Sequence, residues 1–555
     1  MSTTGPTPTA IRNPVLAGFA PDPSVCRVGP DHYLVVSSFE YFPGLPLFHS
    51  RDLVHWRRLG HVLTDPGTLP LDGVRCSGGL YAPTIRHHAG RFHVVCTLVD
   101  GTGPNGHFVV TASDPAGPWS APVWLEGPGF DPSLVFDGDR AWLTATHEVD
   151  PVGAPGRTEI WAREYDPENL CLVGPRFSLW QGALHGARWS EAPHLYAVDG
   201  RYYLLTAEGG TEEDHAVVVA RSREVTGPYE GCPWNPLLTH RHLGPGQPVT
   251  GTGHADLVRT ADGRWWAFLL ASRPLPGRNA PRTAVLGRET FVVPVEWHDG
   301  WPVLAPGLGR VPDRVPGPDL PRHPWEPVGA RDDFDAPEPG PVWSFLRTPR
   351  ERWWDLRSRP GHLRLLPRPE GPEDLANPSA VLRPQQHHDF IASALLDLHP
   401  AGAERAPDEG VEAGLLVMSD DRNHVLVALG TGRTGHPDTV PERPVRLCRR
   451  AGGVLEELAR ASVPDGPIRL GIRASGRRYE ALWSPPAGDW QVLGSFDGAF
   501  LAPSAHGGFT GTMIGPYARC AHRSPDAPRT RSVRVVADFD WFEYRPAGPS
   551  TVTGP

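Results

Sequence analysis

The sequence predicts an all-β protein, a five-bladed β-propeller followed by a β-sandwich. Three observations predict it: a hairpin pattern is repeated five times in the first 300 residues, apolar residues alternate with polar ones in segments of the last 200, and helical periodicity is scarce along the chain. The 62 glycines and 65 prolines fit many short strands joined by turns. At 555 residues the chain is too long for one ordinary core, so we expect two domains.

The repeated unit is a short strand, a polar turn and an aromatic-led apolar strand, which is typical of a β-hairpin. The copies recur at a spacing of about 50 to 60 residues, near the period of propeller blades. Their first strands read Phe19-Ala-Pro-Asp-Pro-Ser, Tyr81-Ala-Pro-Thr, Phe130-Asp-Pro-Ser, Glu191-Ala-Pro-His and His254-Ala-Asp-Leu.

Aligning the prolines of four copies places Asp22, Ala82, Asp131 and Ala192 in one register, with Glu191 one residue earlier. The fifth copy lacks the proline, and overlaying its His-Ala pair on Glu191-Ala192 sets His254 opposite Glu191. If these strands line the propeller axis, three acids from three distant segments meet in one central pocket.

The pattern divides the chain into a propeller over 12–305, a proline-rich linker over 306–328 and a β-sandwich over 329–546. The linker is too rich in proline for a central strand, so we expect it to be stiff and extended. The sandwich opens with Asp332-Asp-Phe-Asp and closes with Ala537-Asp-Phe-Asp. Period-2 alternation between them indicates strands with one buried face.

Composition excludes several classes of function. All 53 basic residues are arginine, so no lysine nucleophile or Schiff base is available. A net charge of −10 argues against nucleic acid as a partner. Seven scattered cysteines without a Cys-x-x-Cys pair favour a reducing compartment. We find no signal peptide or membrane span, and we expect a cytoplasmic protein. Whether the protein forms a homo-oligomer stays open.

Asp22 and Asp131 each precede Pro-Ser, where an aspartate often only accepts N–H bonds at a turn. Two copies in register beside a third acid favour catalysis instead. Glu191 follows Trp189, and a carboxyl partly desolvated there has a raised pKa and stays protonated. Glycoside hydrolysis needs one protonated carboxyl and one ionised carboxylate.

The chain resembles glycoside hydrolase family 43, in the β-xylosidase and α-L-arabinofuranosidase branch with a C-terminal β-sandwich. The motifs that carry this resemblance occur in the family's order along nearly the whole chain: Phe19-Ala-Pro-Asp-Pro-Ser, Ser38-Phe-Glu-Tyr-Phe-Pro-Gly, Gly129-Phe-Asp-Pro-Ser-Leu, Ser190-Glu-Ala-Pro-His-Leu-Tyr, Leu205-Thr-Ala-Glu-Gly-Gly-Thr and Leu286-Gly-Arg-Glu-Thr. The resemblance implies a five-bladed propeller and an inverting mechanism. By resemblance Asp22 is the general base, Glu191 the general acid, and Asp131 the residue that tunes the pKa of the acid.

The same resemblance assigns substrate contacts to Phe39, Tyr81, Arg288 and Phe509. Phe39 also fits a propeller core position, and Arg288 also fits a surface arginine. Tyr81 stands where relatives usually have tryptophan, and Met513 stands where relatives can present a phenylalanine. These departures leave the preferred sugar open.

The chemistry itself requires no cofactor. Relatives hold a histidine near a central cation, and His254 falls on that register, although a lone histidine is more often a core residue. Asp333 and Asp538 offer hard oxygen ligands, from which we expect a structural calcium ion in the second module.

We therefore expect an exo-acting, inverting glycoside hydrolase that releases a terminal pentose from xylo- or arabinoxylo-oligosaccharides. Whether it is a β-D-xylosidase or an α-L-arabinofuranosidase stays open. The alternative from another class is a carbohydrate-binding propeller without turnover. The three acids Asp22, Asp131 and Glu191 argue against a pure binder, which has no use for all of them.

Overall fold

The structure is a computed structural model that describes residues 10–183, 187–244, 246–275, 283–400, 410–431, 443–520 and 535–548. Regular structure in these ranges consists of strands and two short 3-10 helices, Gly498–Leu501 and Pro503–Ala505. Neither helix is long and apolar enough to cross a membrane. The all-β prediction is confirmed.

The chain forms two compact units. The first comprises Met1–Pro274 and Arg288–Glu326, and the second comprises Leu275–Gly287 and Pro327–Pro555. Each unit has its own sheets, as the repeated hairpins and the later alternation predicted.

The first unit contains five antiparallel sheets, each with four strands hydrogen-bonded in chain order. Blade 4 has a further short strand beside its third. Tyr41–Phe42 is a short strand in the connection between the second and third strands of blade 1 and does not belong to that blade's sheet. The strands are Ser24–Val28, Asp31–Val35, Gly44–Ser50 and Arg57–Leu63 in blade 1; Gly79–His88, Arg91–Val99, Gly106–Ala112 and Val123–Leu125 in blade 2; Phe130–Asp137, Arg140–Glu148, Thr158–Asp166 and Cys171–Trp180 in blade 3; Glu191–Val198, Arg201–Glu208, Ala216–Ser222, Glu230–Gly231 and Leu238–Thr239 in blade 4; and Thr250–Arg259, Trp265–Ser272, Arg288–His298 and Trp301–Leu304 in blade 5.

Apolar side chains join neighbouring blades and close the ring. Val25 and Leu34 of blade 1 pack in one cluster with Trp266 and Phe268 of blade 5, so the first blade meets the last. Asn13 strengthens this closure, because its side chain donates to the Val292 carbonyl at 2.9 Å and accepts from the Val292 N–H at 2.9 Å.

The proline-rich segment is grouped with the first unit up to residue 326, so most of the predicted linker lies against the propeller, and its role as a linker over 306–328 stays a prediction. Arg314–Pro316 pairs with Ala10–Arg12 as a two-stranded sheet. Further along, the indole N–H of Trp325 donates to the His55 carbonyl at 3.1 Å. A proline-rich segment can be held this way because its carbonyls and its few N–H groups still find partners on the blades.

The second unit is a sandwich of two antiparallel sheets, which also confirms the prediction. They face each other through Phe390–Pro400 and Ile468–Ser475 of one sheet and Val411–Asp420 and Asn423–Gly430 of the other. The first sheet runs Trp354–Asp355, Leu363–Leu365, Val535–Pro546, Phe390–Pro400, Ile468–Ser475, Arg478–Ser484 and Gln491–Asp497, with Arg331–Asp332 beside Val535–Pro546. The second runs Ser379–Ala380, Met513–Cys520, Val411–Asp420, Asn423–Gly430, Pro444–Ala451 and Val454–Ser462, with Arg383–Pro384 beside Met513–Cys520; Phe345–Leu346 is a further short strand of this unit.

One buried ion pair links four blades of the propeller. Asp256 of blade 5 is fully buried, and Arg86 of blade 2 donates to both of its oxygens at 2.8 and 3.0 Å. Ser24 of blade 1 donates to one oxygen at 2.7 Å, and Tyr196 of blade 4 donates to the other at 2.6 Å. Burial opposes ionisation of Asp256, but Arg86, His194 and Tyr196 together outweigh it and hold the pKa of this carboxyl well below its usual range.

Asp256→Ala should lower the free energy of unfolding of the first unit by about 3–5 kcal/mol, because it leaves the Arg86 charge buried without its partner. Urea unfolding measures this loss. Asp139→Ala removes an exposed carboxylate from a turn of blade 3 and should change stability by roughly 0.5 kcal/mol or less. Equal stability of the two variants would contradict the structural role of the pair.

Candidate active site

The pocket is built on one backbone feature that all five blades share. At the start of each copy of the repeat, one non-glycine residue takes a left-handed conformation, with φ between +38° and +54°. The five residues are Asp22, Ala82, Asp131, Ala192 and His254. Non-glycine residues rarely adopt this conformation, and such outliers cluster at functional sites. The predicted register of the first four copies is confirmed.

The predicted register of the fifth copy is wrong by one residue. In blade 4 the strand pairing shifts between Glu191 and His194, and in blade 5 it shifts between Gly253 and Asp256. Gly253 therefore corresponds to Glu191, and His254 shares the position of Asp22 and Asp131. The alignment failed because this copy has no proline to anchor it.

Asp22 is held by groups from two blades. Arg288 donates to its Oδ1 at 2.8 Å, and the Ser37 hydroxyl donates to its Oδ2 at 2.6 Å. The Nδ1 of His254 lies 3.5 Å from the same Oδ1. Both oxygens accept hydrogen bonds, which is the role of an ionised carboxylate.

Among the described residues, Asp131 has fewer hydrogen-bond donors than Asp22. Its Oδ2 accepts the backbone N–H of Ala192 at 3.1 Å. Burial and the charge of Asp22 raise the pKa of Asp131 to about 7, against the opposing effects of the Ala192 N–H and Arg288. Asp131 therefore exchanges its proton near neutral pH.

Glu191 is the third carboxyl of the cluster. Burial raises its pKa well above the usual range; the charges of Asp131 and Asp22 add to this effect, and Arg288 opposes it. The predicted raised pKa is confirmed, with burial as the main cause. The three acids are close enough for their charges to interact, so the structure brings together the three carboxyls that the register aligned.

Aromatic side chains surround the arginine side of this cluster. The guanidinium of Arg288 lies 5.6 Å from the ring centre of Phe39, whose ring is 5.0 Å from Tyr81 and 6.0 Å from Phe19. The Tyr81 hydroxyl donates to the Ser77 carbonyl at 2.5 Å, so it ties down its own loop. Phe39 and Tyr81 thus lie next to the site, whereas their contact with substrate stays a prediction. Phe509 lies in the second unit, and its role stays a prediction as well.

Sequence reasoning missed Ser37, which contacts Asp22 directly. Ser37 follows the second strand of blade 1 and belongs to no repeated motif. The only signal was its place in the Ser-Ser pair before Phe39.

Asp333 and Asp538, the residues expected to hold a calcium ion, each have arginine partners. Asp538 is fully buried, and its two oxygens accept from Arg364 at 2.7 and 2.8 Å and from Arg359 at 2.8 Å. His399 lies 2.9 Å from the same carboxylate, and Asp333 is paired with Arg331 at 2.5 Å. A calcium ion at Asp538 would face two guanidinium groups, which argues against this site, and the structural calcium ion stays a prediction.

The described residues contain no group of three or more histidine, cysteine, aspartate or glutamate side chains arranged to hold a metal ion. Burial lowers the pKa of His254, so its ring is neutral beside Asp22. A metal role for His254 stays a prediction.

Comparison with known proteins agrees with this geometry. The family profile described as "Glycosyl hydrolases family 43" matches residues 11–302, the span of the propeller. The chain belongs to glycosyl hydrolase family 43. A second profile, "Beta xylosidase C-terminal Concanavalin A-like domain", matches residues 331–545 of the sandwich. The protein is therefore a glycoside hydrolase.

Relatives are similar over nearly their whole length. A xylosidase/arabinosidase of Butyrivibrio fibrisolvens is 40% identical, with 93% of this chain and 96% of the relative covered. A non-reducing end α-L-arabinofuranosidase of Bacteroides ovatus is 38% identical, covering 96% of this chain and 94% of the relative. The crystal structure of a xylan β-1,4-xylosidase of Bacillus halodurans has a TM-score of 0.86 and 34% identity, covering 96% of this chain and 100% of that one.

Asp131→Asn should stabilise the protein increasingly as pH rises from about 4 to about 7. The folded state holds the Asp131 proton up to a pKa of about 7, whereas the unfolded chain releases it near pH 4. The wild type therefore loses stability across this window, and asparagine does not titrate. Melting temperatures of both proteins measured across this range test the prediction. With the exposed Asp139→Asn as control, a difference between Asp131→Asn and wild type that does not change with pH would contradict it.

Proposed function

We propose that the protein is an exo-acting, inverting glycoside hydrolase that releases a terminal pentose, β-D-xylose and/or α-L-arabinofuranose, from xylo- or arabinoxylo-oligosaccharides. The observation that carries the mechanism is the unequal surroundings of two carboxyls in one pocket. Asp22 accepts hydrogen bonds at both oxygens from Arg288 and Ser37, whereas Glu191 is buried with a raised pKa. One acid is thus prepared to take a proton and the other to give one.

The reaction follows from these two states. Glu191, protonated in the resting enzyme, gives its proton to the glycosidic oxygen as the bond to the anomeric carbon breaks. Asp22 takes a proton from a water molecule, whose oxygen attacks the anomeric carbon from the opposite face. One displacement therefore yields a sugar with inverted configuration and leaves Glu191 ionised and Asp22 protonated.

Asp131 and Arg288 set the balance between the two acids. Negative charge on Asp131 favours the protonated form of Glu191, whereas Arg288 favours the anion. Arg288 also contacts Asp22 directly, so one guanidinium restrains the base and limits the pKa of the acid. This balance supports the tuning role that the family resemblance gave to Asp131.

The names of the relatives support a pentose substrate. The Butyrivibrio relative is named for xylosidase and arabinosidase activity, and the Bacteroides relative is named an α-L-arabinofuranosidase that acts at the non-reducing end. A panel of aryl xyloside, arabinofuranoside, galactoside and fructoside substrates tests this part of the proposal. We expect turnover of the first two, and preference for a hexoside would contradict it.

Glu191→Ala should reduce hydrolysis of xylobiose or another natural disaccharide by roughly 10²–10⁴-fold, because the poor leaving group loses its proton donor. An activated aryl glycoside needs little protonation and should lose much less. Steady-state kcat/KM on both substrates measures the difference. Equal losses on the two would remove Glu191 from the acid role.

Asp22→Ala should reduce hydrolysis of both substrate types by similar factors, because attack by water is common to both. The same assay gives the result, with Glu191→Ala as the matched comparison. If Asp22→Ala spared the aryl substrate while Glu191→Ala did not, the roles of base and acid would be reversed.

A further inference from the structure

The two aspartates at equivalent positions of blades 1 and 3 are bonded to the neighbouring blade in different ways. Asp131 of blade 3 accepts the N–H of Ala192, the left-handed residue of blade 4, directly at 3.1 Å. The equivalent N–H in blade 2 belongs to Ala82 and does not go to Asp22. It goes to the hydroxyl oxygen of Ser37 at 2.7 Å, and Ser37 in turn donates to Asp22 at 2.6 Å.

Ser37 is fixed in this place. Its side chain is buried, with 1% of the residue exposed, and its backbone N–H donates to the Pro21 carbonyl at 3.2 Å, next to Asp22 in the chain. Since the hydroxyl oxygen already accepts the Ala82 N–H, the single hydroxyl proton is available for Asp22 Oδ2. The bonds therefore run in one direction, from the amide through the hydroxyl to the carboxylate.

We propose that Ser37 is a positioning residue for the catalytic base: it relays the Ala82 N–H to Asp22 and thereby holds the carboxylate in one orientation. This rests on the proposed function, in which Asp22 activates water. Arg288 restrains one oxygen of Asp22 and Ser37 restrains the other, so the carboxylate cannot rotate without breaking a charge-assisted hydrogen bond.

The contrast with Asp131 shows why the inserted hydroxyl matters. A carboxylate satisfies the N–H of the next blade by itself, as Asp131 does for Ala192, so satisfying Ala82 does not require a serine. The inserted hydroxyl separates Asp22 from the strand of blade 2 and leaves its other oxygen to Arg288 and His254. Asp131, which lacks such a donor, titrates near neutral pH and suits a tuning role.

The test is the pH profile of kcat/KM for Ser37→Ala on an aryl pentoside with an activated leaving group, for which the base step matters most. Loss of a hydrogen bond to a charged group should move the acidic limb to higher pH by about one unit. The rate on the plateau should fall by about tenfold. Ser37→Thr keeps the hydroxyl and should restore the wild-type limb.

Ser38→Ala is the matched control. Ser38 is the adjacent buried serine, and its hydroxyl accepts the Leu45 N–H at 3.0 Å. The Ser38→Ala variant should have a lower melting temperature, as Ser37→Ala does, but the acidic limb of its pH profile should not shift. If Ser37→Ala lost only stability and kept the wild-type limb, Ser37 would be a structural residue and the proposal would fail.

If Ser37→Ala does not fold, Ser37→Cys provides the same test, because a thiol is a weak donor. A wild-type limb in the cysteine variant would overturn the proposal. Asp22→Asn, assayed alongside, separates this inference from the proposed function. An active Asp22→Asn would refute the role of Asp22 as base, whereas an inactive Asp22→Asn together with an unshifted Ser37→Ala would refute only the role of Ser37.

Discussion

A left-handed residue in or just before the first strand of every blade is the constraint on which the pocket depends. At Asp22, Ala82, Asp131, Ala192 and His254 the backbone leaves regular pairing, and strand register shifts at the four copies that lie within strands. Each such residue costs on the order of 1–3 kcal/mol, so the packed blades must hold it in place. Two of these residues donate their backbone N–H groups to the preceding blade: Ala192 donates to Asp131, and Ala82 donates to Ser37.

The three acids have different hydrogen-bond donors and different surroundings, and these differences give them different roles. Asp22 accepts hydrogen bonds from an arginine and a hydroxyl, and Asp131 accepts one from a backbone amide. The pKa of Glu191 is raised by burial and by the like charges around it. Like charges in a buried space cannot all ionise together, so one carboxyl retains its proton. A single arginine among them is therefore enough to separate base from acid.

The sequence predicts those parts of the fold and site that repeat. Proline-anchored copies allow Asp22, Asp131 and Glu191 to be aligned, whereas the fifth copy lacks the proline and its alignment slips by one residue. Non-repeating contacts leave no such signal. Ser37 lies in an irregular segment, and Asp538 is paired with Arg359 and Arg364, more than 170 residues away in the chain. Neither contact has a fixed spacing that the sequence alone can reveal.

The central claim is that Asp22 and Glu191 act as base and acid in one displacement. Proton NMR of the sugar released in the first minutes of hydrolysis, before mutarotation, tests it most directly. The account predicts that an aryl β-D-xyloside first yields α-xylose, the inverted anomer. Initial release of β-xylose would mean a covalent intermediate and two displacements, and would contradict the roles assigned to both acids.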